Sequence, residues 1–532
     1  MPPRDPDSTI STPTDADDAA RPCIAARILA HPDPARVGDF APLFDADRRG
    51  TVLIHRQSPA FRSPDGRHAS PLSSRRATRS PLRVTRRGPG LLVAYDAPSP
   101  GVEVNGQRLA GERACSPEEV TAGIVVLFGK DVVLWIGLLE LLEPAPAVRG
   151  LIGESTVMRR LRQQIHRVAE MDVPVLLRGE TGAGKELAAH AIHVHSKRAG
   201  SKYVAVNVAG IPPTMAASEL FGHNRGSYTG ATESRKGYFQ QADGGTLFLD
   251  EIGDITFDMQ ALLLRAIQHG VIQPLGGTTR HVDVRLIAAT DSDLEAAVAR
   301  REFREPLLRR FSYVIRVPPL RSRRDDIGML FYHLLRERLE SMDDSRRLTP
   351  ASADDEPWVP GAYVAELALY EWPGNVRELS NVALNFAVEN RGRPRVRVTD
   401  ELRRLVQRQA PHADAGGAAD GDVPSPPPGH RRRPRTGPSE EDIANALRLE
   451  GYSPERAARR LGVSKSHMYK RLGSTPGYRR ASDIPLEEIR AAFERYKGDA
   501  RAAAETLRIS ERALLLRLRA AGGRDDRGPG RA

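Results

Sequence analysis

Cysteine is scarce in this sequence, which has two cysteines, Cys23 and Cys115, among 532 residues. Two cysteines cannot build a disulfide framework or a cysteine-based zinc site, so proteins of both kinds are excluded. A membrane span is excluded as well, because charged residues interrupt the most apolar stretch, residues 123–142. The first residues also lack the apolar core of a signal peptide. We therefore expect a cytoplasmic protein with no membrane partner.

Charge and length set further bounds. The 79 basic residues outnumber the 68 acidic ones by 11, which favours contact with a polyanion such as nucleic acid. At roughly 150 residues per domain, the length predicts about three or four domains. A hydrophobic content of 40% and a charged content of 28% are typical of soluble globular domains.

The residue pattern changes several times along the chain. An aperiodic stretch rich in proline and aspartate gives way to short β-type runs separated by turn signals, which predict a β-sandwich. Strands then alternate with helical patterns, which predicts a parallel α/β domain, before helical patterns dominate. The predicted segments are a disordered arm (1–38), a β-sandwich (40–143), an α/β core (149–320), a helical segment (321–410), a linker rich in Pro, Gly and Arg (411–438) and two further helical segments (439–475 and 483–521).

The last two segments repeat one pattern. Residues recur at a constant offset of 46 positions, as in Ile443 and Ile489 or Ala457 and Ala503. Such ungapped agreement predicts two copies of one helical unit. Each copy reads as a helix, a short turn and a second helix, which is the pattern of a helix-turn-helix.

A glycine-rich loop follows the strand-like run 173–178. Residues 179–186 read GETGAGKE and precede an alanine-rich helical pattern. Glycines let backbone N–H groups converge on a phosphate, whose charge Lys185 would neutralise. Glu186 stands where most such loops have Ser or Thr. The pattern predicts a nucleotide-binding loop, and the alternative is an ordinary glycine-rich turn.

A second motif points to the same chemistry. The apolar run 246–249 ends in two carboxylates, Asp250 and Glu251. Asp250 is suited to hold Mg²⁺, and Glu251 is suited to polarise an attacking water. Together the two motifs predict a bound, hydrolysable nucleoside triphosphate.

These residues resemble one family, the AAA+ ATPase domain of bacterial sigma-54-dependent transcriptional activators of the NtrC class. The loop GETGAGKE is similar to that family's version, including Glu186. Residues 226–231 (GSYTGA) resemble its insertion motif GAFTGA, and residues 372–379 (WPGNVREL) resemble its sensor II segment. The resemblance covers residues 151–406 and implies an α/β AAA+ P-loop ATPase core whose helical lid is segment 321–410.

The resemblance implies ATP and Mg²⁺ as cofactors and gives several residues a role. Lys185 would bind phosphate, Asp250 would bind Mg²⁺, Glu251 would hold the water, and Asn207 would restrain Glu251. The implied nucleotide-binding residues are Gly179, Glu180, Thr181, Gly182, Ala183, Gly184, Lys185, Glu186, Asp250, Asp291 and Arg377.

Three arginines acquire roles only through the resemblance. Arg304 and Arg310 match the arginine fingers that one subunit supplies to its neighbour's nucleotide, where they meet charge that develops in the transition state. Arg377 matches the residue that senses the γ-phosphate from the lid. Sites completed by a neighbour imply a homo-oligomeric ring, which the family resemblance makes a hexamer.

The insertion motif is where the resemblance places contact with sigma-54. Its residues are Gly226, Ser227, Tyr228, Thr229, Gly230 and Ala231. Glycines at both ends give the loop freedom, while an aromatic ring and a hydroxyl face the partner. The alternative is an ordinary glycine-rich surface turn.

Two departures from the family pattern bear on catalysis. Asp291 stands where sensor I usually has Asn, and a carboxylate accepts hydrogen bonds but cannot donate one. Pro306 stands between the two fingers, where an Asp is common, and a proline there is expected to shift the helix of Arg310. We expect an active but slow ATPase.

The first C-terminal copy has the equipment of a DNA-reading helix. Ser464 is expected to cap a helix, and the expected outward residues of that helix are Lys465, Ser466, His467, Lys470 and Arg471. This segment resembles the Fis-type DNA-binding domain of the same family, which implies double-stranded upstream DNA as a partner. The second copy is expected to pack or dimerise and to add phosphate contacts. The alternative is a helical bundle that binds no DNA.

The β-rich segment resembles a forkhead-associated domain in two places. Ser74 and Arg75 lie in a Ser-Arg loop, and Asn105 lies in an Asn-Gly turn. In that reading these residues bind a phosphothreonine peptide. A plain structural sandwich that contacts proteins without phosphate is the alternative.

The sequence as a whole predicts an ATP-driven activator of sigma-54 RNA polymerase that binds upstream DNA and is gated by its N-terminal domain. Two other functions stay open. One is an AAA+ ATPase that remodels a different protein, and the other is a DNA-binding repressor or scaffold that does not hydrolyse nucleotide.

Overall fold

The computed structural model describes most of the chain, which divides into two compact units, residues 1–415 and 416–532. The described residues are 22–45, 50–74, 80–97, 101–140, 142, 148–227, 232–349, 356–407, 440–461, 468, 484–496 and 499–522. None of the helices in these ranges combines the length and the apolar character that a bilayer crossing requires.

A sandwich of two antiparallel sheets opens the first unit. Its strands are β1 (Pro22–Ala30), β2 (Phe40–Phe44), β3 (Thr51–Ile54), β4 (Phe61–Arg62), β5 (Ala69–Ser70), β6 (Leu82–Arg87), β7 (Gly90–Tyr95), β8 (Val102–Val104), β9 (Gln107–Arg108), β10 (Gly111–Cys115), β11 (Ile124–Phe128) and β12 (Val132–Glu140), with a short helix, α1 (Pro117–Ala122). One sheet has the order β5-β4-β2-β1-β12-β11-β8-β9 and the other β10-β7-β6-β3. Side chains of both sheets, among them Ile28, Val84 and Leu134, form one core.

The disordered arm expected over residues 1–38 is wrong for the part that the structure describes. Residues 22–30 form β1, which pairs with β2 and β12 inside the larger sheet. Ile24 and Ile28 face the sandwich core, whereas Leu29 packs with helices from later in the chain. Because both faces of β1 are buried, the strand lacks the alternation of apolar and polar residues that identifies a strand in a sequence.

An α/β core follows. Its elements are α2 (Thr156–Ala169), β13 (Val175–Arg178), α3 (Lys185–Val194), β14 (Tyr203–Asn207), α4 (Ala216–Phe221), β15 (Gly222–His223), β16 (Arg235–Lys236), α5 (Tyr238–Gln241), β17 (Thr246–Asp250), α6 (Phe257–His269), β18 (Val271–Ile272), β19 (Arg280–His281), β20 (Arg285–Thr290), α7 (Leu294–Ala299), α8 (Glu305–Leu308) and β21 (Tyr313–Arg316). Five of the strands form a parallel sheet in the order β14-β17-β20-β13-β21. The carboxyl ends of its strands share one edge, where such sheets bind ligands.

Helices form the rest of the first unit. They are α9 (Ile327–Glu340), α10 (Gly361–Leu369), α11 (Asn375–Asn390) and α12 (Asp400–Gln407). Phe331, Trp372 and Phe386 are fully buried in their shared core. Leu29 and Val133 of the sandwich belong to the same cluster, so the sandwich and the helical segment share one apolar core.

The second unit contains two small helical cores. The first lies among α13 (Glu440–Leu449) and α14 (Pro454–Arg460), and the second among α15 (Leu486–Arg495), α16 (Ala500–Leu507) and α17 (Glu511–Gly522). Buried members of the two cores occupy equivalent repeat positions, as Ala457 and Met468 do with Ala503 and Leu514. Lys465, Ser466, His467, Lys470 and Arg471 lie outside the described residues.

Candidate nucleotide-binding and catalytic site

The glycine-rich loop joins the end of β13 to the start of α3. Lys185 is the first residue of α3 and is 7% exposed. Its Nζ donates to the carbonyl of Gly179 at 2.9 Å and lies 3.5 Å from Oε1 of Glu251. Gly184 adopts φ of +108°, a left-handed conformation that turns the chain into the helix and that L side chains rarely adopt. The lysine at the start of α3 is therefore held between the loop and the carboxylate of Glu251.

Two carboxylates stand at the carboxyl end of β17. Asp250 ends the strand, and one of its oxygens accepts the backbone N–H of Glu251 at 3.1 Å. Glu251 has φ of 55°, an uncommon conformation for a non-glycine residue that points to functional strain. Burial raises the pKa of Glu251, and the neighbouring Asp291 and Asp250 raise it further, while Lys185 lowers it. A carboxylate with these neighbours is a candidate general base.

Asn207 ends β14, directly opposite Asp250 in the parallel register. Its side-chain amide donates to Oδ2 of Asp250 at 3.4 Å. The contact with Glu251 that the resemblance implied is therefore replaced here by a contact with the neighbouring carboxylate, because the register of β14 and β17 sets Asn207 beside the last residue of β17.

Asp291 follows β20 at the same edge of the sheet. Its Oδ2 accepts a hydrogen bond of 2.6 Å from the Thr181 hydroxyl, and its backbone N–H donates to Glu251 at 3.4 Å. The carboxylate at the sensor I position thus has a donor supplied by the phosphate-binding loop. This contact links the loop, the sensor position and the candidate base.

The lid is closed over the loop. The Glu180 carboxylate pairs with the Arg321 guanidinium, whose hydrogen bonds hold the pKa of Glu180 below its usual range. Asn375 is fully buried and donates to Glu180 at 3.1 Å and to the Thr181 carbonyl at 3.2 Å. Arg377 is exposed, and its Cβ would lie 3.1 Å from a Cβ built on Gly182.

Asn375 and Arg321 were missed as site residues by sequence reasoning. Asn375 lies in the WPGNVREL segment, two residues before Arg377, and its neighbour Val376 donates a backbone hydrogen bond to the Gly182 carbonyl at 3.1 Å. A polar residue inside that segment was the available signal. Its partners could not be read, because they lie almost two hundred positions earlier in the chain.

The two candidate fingers lie around α8. Arg304 precedes the helix, and its guanidinium carbon lies 3.9 Å from the ring centroid of Phe257. Arg310 is exposed beyond the end of the helix. Pro306 occupies the first turn of α8, where proline needs no N–H partner, so the displacement expected from this residue has no local cause.

The insertion motif is described in part. Gly226 has φ of +80° and open space around it, and Ser227 follows it. Tyr228, Thr229, Gly230 and Ala231 lie outside the described residues. The strands β15 and β16 pair on either side of the insertion, and Asn224 anchors it to the carbonyls of Leu275 and Gly276. The base of the loop is therefore held in place.

The candidate phosphopeptide residues of the sandwich do not form a described site. Ser74 is buried at 3% exposure, and Arg75 lies outside the described residues. Asn105 has φ of 50°; its amide oxygen accepts the Val125 N–H at 2.9 Å, and its nitrogen donates to Glu119 at 3.2 Å. Both ends of the Asn105 amide are thus committed to hydrogen bonds with β11 and α1 of the sandwich.

The residues present fit a nucleotide and its metal ion. Within the described chain the Lys185 ammonium donates to Gly179, which leaves further N–H groups for phosphate oxygens. In the same part of the chain, no group of three or more His, Cys, Asp or Glu side chains forms a metal cage. Mg²⁺ on a phosphate-binding loop needs few carboxylates, because phosphate oxygens and waters complete its shell, so Asp250 suffices.

Comparison with known protein families gives two matches in the part of the chain that contains this site. Residues 151–316 match the sigma-54 interaction domain, and residues 321–417 match an AAA+ ATPase lid domain. The chain is 42% identical over 340 residues to the nitric oxide reductase transcription regulator NorR1 of Cupriavidus necator, covering 61% of this chain and 64% of that protein.

Two further comparisons extend this result. The chain is 40% identical over 333 residues to the transcriptional regulatory protein ZraR of Klebsiella oxytoca, covering 62% of this chain and 70% of that protein. A crystal structure of NtrX from Brucella abortus in complex with ADP is 28% identical, with a TM-score of 0.43 and coverage of 70% of both chains. The chain spans less than two thirds of the length of NorR1.

Proposed function

The chain belongs to the family of sigma-54-dependent transcriptional regulators, with an AAA+ ATPase core and lid, and we propose that it hydrolyses ATP to activate sigma-54 RNA polymerase. The observation that carries the proposal is the convergence of Lys185, Glu251 and Asp250 at one sheet edge under a closed lid. A core with a structural pocket alone would have no need of a strained, half-buried carboxylate beside the phosphate-binding lysine.

Each residue then has a chemical task. Lys185 and the loop amides bind and neutralise the phosphates of ATP, and Arg377 contacts the γ-phosphate from the lid. Asp250 would hold Mg²⁺, and the bound ion would supply positive charge to the phosphates. Glu251, once ionised, accepts a proton from the attacking water, and Asn207 steadies the carboxylate pair through Asp250.

Completion of the site requires a second subunit. Arg304 and Arg310 supply positive charge to the nucleotide of the neighbouring subunit, so the active form is a homo-oligomeric ring, a hexamer in this family. Movement of the loop 226–231, which β15 and β16 anchor, transmits the hydrolytic cycle to sigma-54 in the closed promoter complex. The segment 465–471, for which the sequence predicts a DNA-reading helix, binds upstream DNA through Lys465, Lys470 and Arg471 and keeps the ring near its promoter.

The N-terminal sandwich gates the cycle by resting on the lid. Two glycines near the starts of lid helices lie in close contact with the backbone of the sandwich. A Cβ built on Gly328 would lie 2.1 Å from the Leu29 carbonyl oxygen, and one on Gly361 would lie 2.7 Å from Cα of Asp131. Because these distances are shorter than any normal contact, a larger residue at either position would push the sandwich and the lid apart.

A buried ionic cluster lies at the same interface. Arg27 of β1 is 1% exposed, with Nε 3.6 Å from Asp325 and Nη1 3.9 Å from Asp326. Asp326 also accepts hydrogen bonds from the backbone of Glu154 at 2.6 Å and of Ser155 at 2.8 Å. The cluster joins the sandwich, the start of α2 and the connection between core and lid, so displacement of the sandwich would free the lid.

Recognition of a phosphothreonine partner by this sandwich is the finer form of the proposal. It rests on the sequence pair Ser74 and Arg75, since the Asn105 amide already binds Val125 and Glu119 within the sandwich. A titration with a phosphothreonine peptide library, compared with the unphosphorylated peptides, tests it. A sandwich that serves protein contacts alone would bind both sets equally.

The decisive test of the main proposal is capture of sigma-54. The purified chain, loaded with ADP and aluminium fluoride, should form a complex with sigma-54 that Thr229→Ala abolishes, while Lys185→Ala abolishes ATP turnover. Turnover without a complex would mean that the ATPase acts on another protein. Absence of both would favour a DNA-binding repressor or scaffold.

The gating proposal has its own test. In Gly328→Ala, the added methyl group separates the sandwich from the lid, although alanine is otherwise the better helix former by about 1 kcal/mol. We expect a higher basal ATPase rate and faster amide exchange in β1. Gly200→Ala is the matched control, because nothing lies within 4 Å of a Cβ there. An unchanged or lower rate despite faster exchange in β1 would contradict the gate.

A further inference from the structure

Helix α6 holds both candidate fingers of its own chain. The Arg304 guanidinium stacks on the Phe257 ring, with its carbon 3.9 Å from the ring centroid, and its Nε donates to the Phe257 carbonyl at 3.0 Å. With the Gln268 amide oriented so that its oxygen faces Arg310, that oxygen accepts from Nε and Nη2, both at 2.9 Å. Phe257 begins α6 and Gln268 lies in its last turn.

The backbone before Arg304 is fixed to the same helix. Gln260 is fully buried; its oxygen accepts the Arg304 N–H at 2.7 Å, and its nitrogen donates to the Glu302 carbonyl at 2.9 Å. Phe303 and Leu307 are buried in the core to which α6 contributes Leu263. The backbone that carries Arg304 is therefore fixed to α6, and the Arg304 side chain is the part that the Phe257 ring orders.

The contact with Phe257 leaves the two terminal nitrogens of Arg304, Nη1 and Nη2, available to bind a phosphate. Nε is bound to the Phe257 carbonyl and the guanidinium carbon lies over the ring, 3.9 Å from its centroid, while no hydrogen bond of Nη1 or Nη2 occurs within the described residues. Those two nitrogens form the edge that binds a phosphate through two parallel hydrogen bonds. A long, half-buried arginine loses rotamer freedom when it binds, and an aromatic ring that already holds it reduces that loss.

We propose that Phe257 is a positioning residue that presents the Arg304 finger to the nucleotide of the neighbouring subunit. The proposal rests on the proposed function, because it assumes a finger that acts between subunits. Phe257 contacts Arg304 through its ring and through its backbone carbonyl. It acts through Arg304, and its loss lowers kcat while leaving the KM for ATP unchanged.

A subunit-mixing experiment isolates this effect. Glu251→Gln makes a donor that keeps its fingers but cannot hydrolyse ATP, and Arg304→Ala makes an acceptor that keeps its own site but lacks the finger. Mixed rings recover ATPase activity where a donor serves an acceptor. Phe257→Leu in the donor should lower the recovered rate about two- to five-fold, the range for loss of an exposed cation–π contact. The same change in the acceptor should have no effect.

The subunit-mixing experiment also includes control variants and results that would contradict the proposal. Phe257→Trp in the donor should preserve the rate, and so should Leu262→Ala, which removes an exposed side chain from the same helix. A loss in both placements of Phe257→Leu, or in neither, would overturn the proposal. Failure of Glu251→Gln and Arg304→Ala to complement each other, with an active parent protein, would instead disprove fingers acting between subunits and this inference with them. An inactive parent protein would refute the proposed function itself.

Discussion

Asn375 offers a direct test of how the lid controls nucleotide binding. It is fully buried and has φ of 54°. Its side chain accepts the Leu320 N–H at 2.8 Å and donates to Glu180 and Thr181 of the phosphate-binding loop. One amide therefore ties the lid, the core-to-lid connection and the loop together.

The magnitude follows from what each substitution leaves behind. Removal of the amide orphans the Leu320 N–H, which belongs to a fully buried residue, at a cost of about 1–3 kcal/mol. The two loop acceptors are open enough for water to replace the lost donor. Alanine also pays the left-handed backbone penalty of about 1 kcal/mol, which glycine avoids. Asn375→Gly should therefore weaken nucleotide binding about tenfold, and Asn375→Ala about fiftyfold.

Titration with a fluorescent ADP analogue measures these changes. Asn385→Ala, which removes an exposed amide from the same helix α11, should stay within about twofold of the parent protein. Asn375→Gly that binds ADP as tightly as the parent would refute the reasoning, because the amide would then add nothing to lid closure. Equal affinities for the glycine and alanine variants would refute the backbone part alone.

Three further outcomes are expected. Asp326→Ala should lower the free energy of unfolding of the first unit by about 3 kcal/mol, measured by urea denaturation, because it leaves the buried N–H of Ser155 unpaired. Asp291→Asn should raise ATP turnover several-fold in a coupled assay, since an amide can donate toward phosphate; a fall would mean that the carboxylate is adapted to this site. Burial lowers the pKa of His31 below 6.5, so the stability it contributes is complete above pH 6.5 and is lost as the pH falls through the lower, folded pKa. His31→Gln should accordingly show a smaller drop in Tm between about pH 7.5 and about pH 5.5, followed by thermal denaturation.

The nucleotide-binding core was open to sequence reasoning because its chemistry is local. The loop 179–186 needs glycines and a lysine at fixed spacing, and the two carboxylates need only the end of an apolar strand. A motif with fixed local spacing can be recognised in the sequence without knowledge of how the remainder of the chain folds. The structure accordingly places Lys185 beside Glu251 as the motifs predict.

The first strand was hidden for a related reason. β1 has one face on the sandwich core and the other on the lid, so its sequence has no polar face. Its burial depends on helices more than 290 positions later, such as α9 at Ile327. A pattern that depends on such distant partners leaves no local trace.

The sequence by itself determined the chemistry of this protein: a phosphate-binding loop, paired carboxylates, an insertion loop and a repeated helical unit, each encoded by residues close together in the chain. Tertiary structure alone decided which residues act on one another. It placed Asn207 on Asp250, gave Asp291 a donor in Thr181, and set the candidate finger Arg304 on Phe257. Such pairings depend on strand register and helix packing, which bring distant positions within hydrogen-bond range and which no spacing within the sequence records.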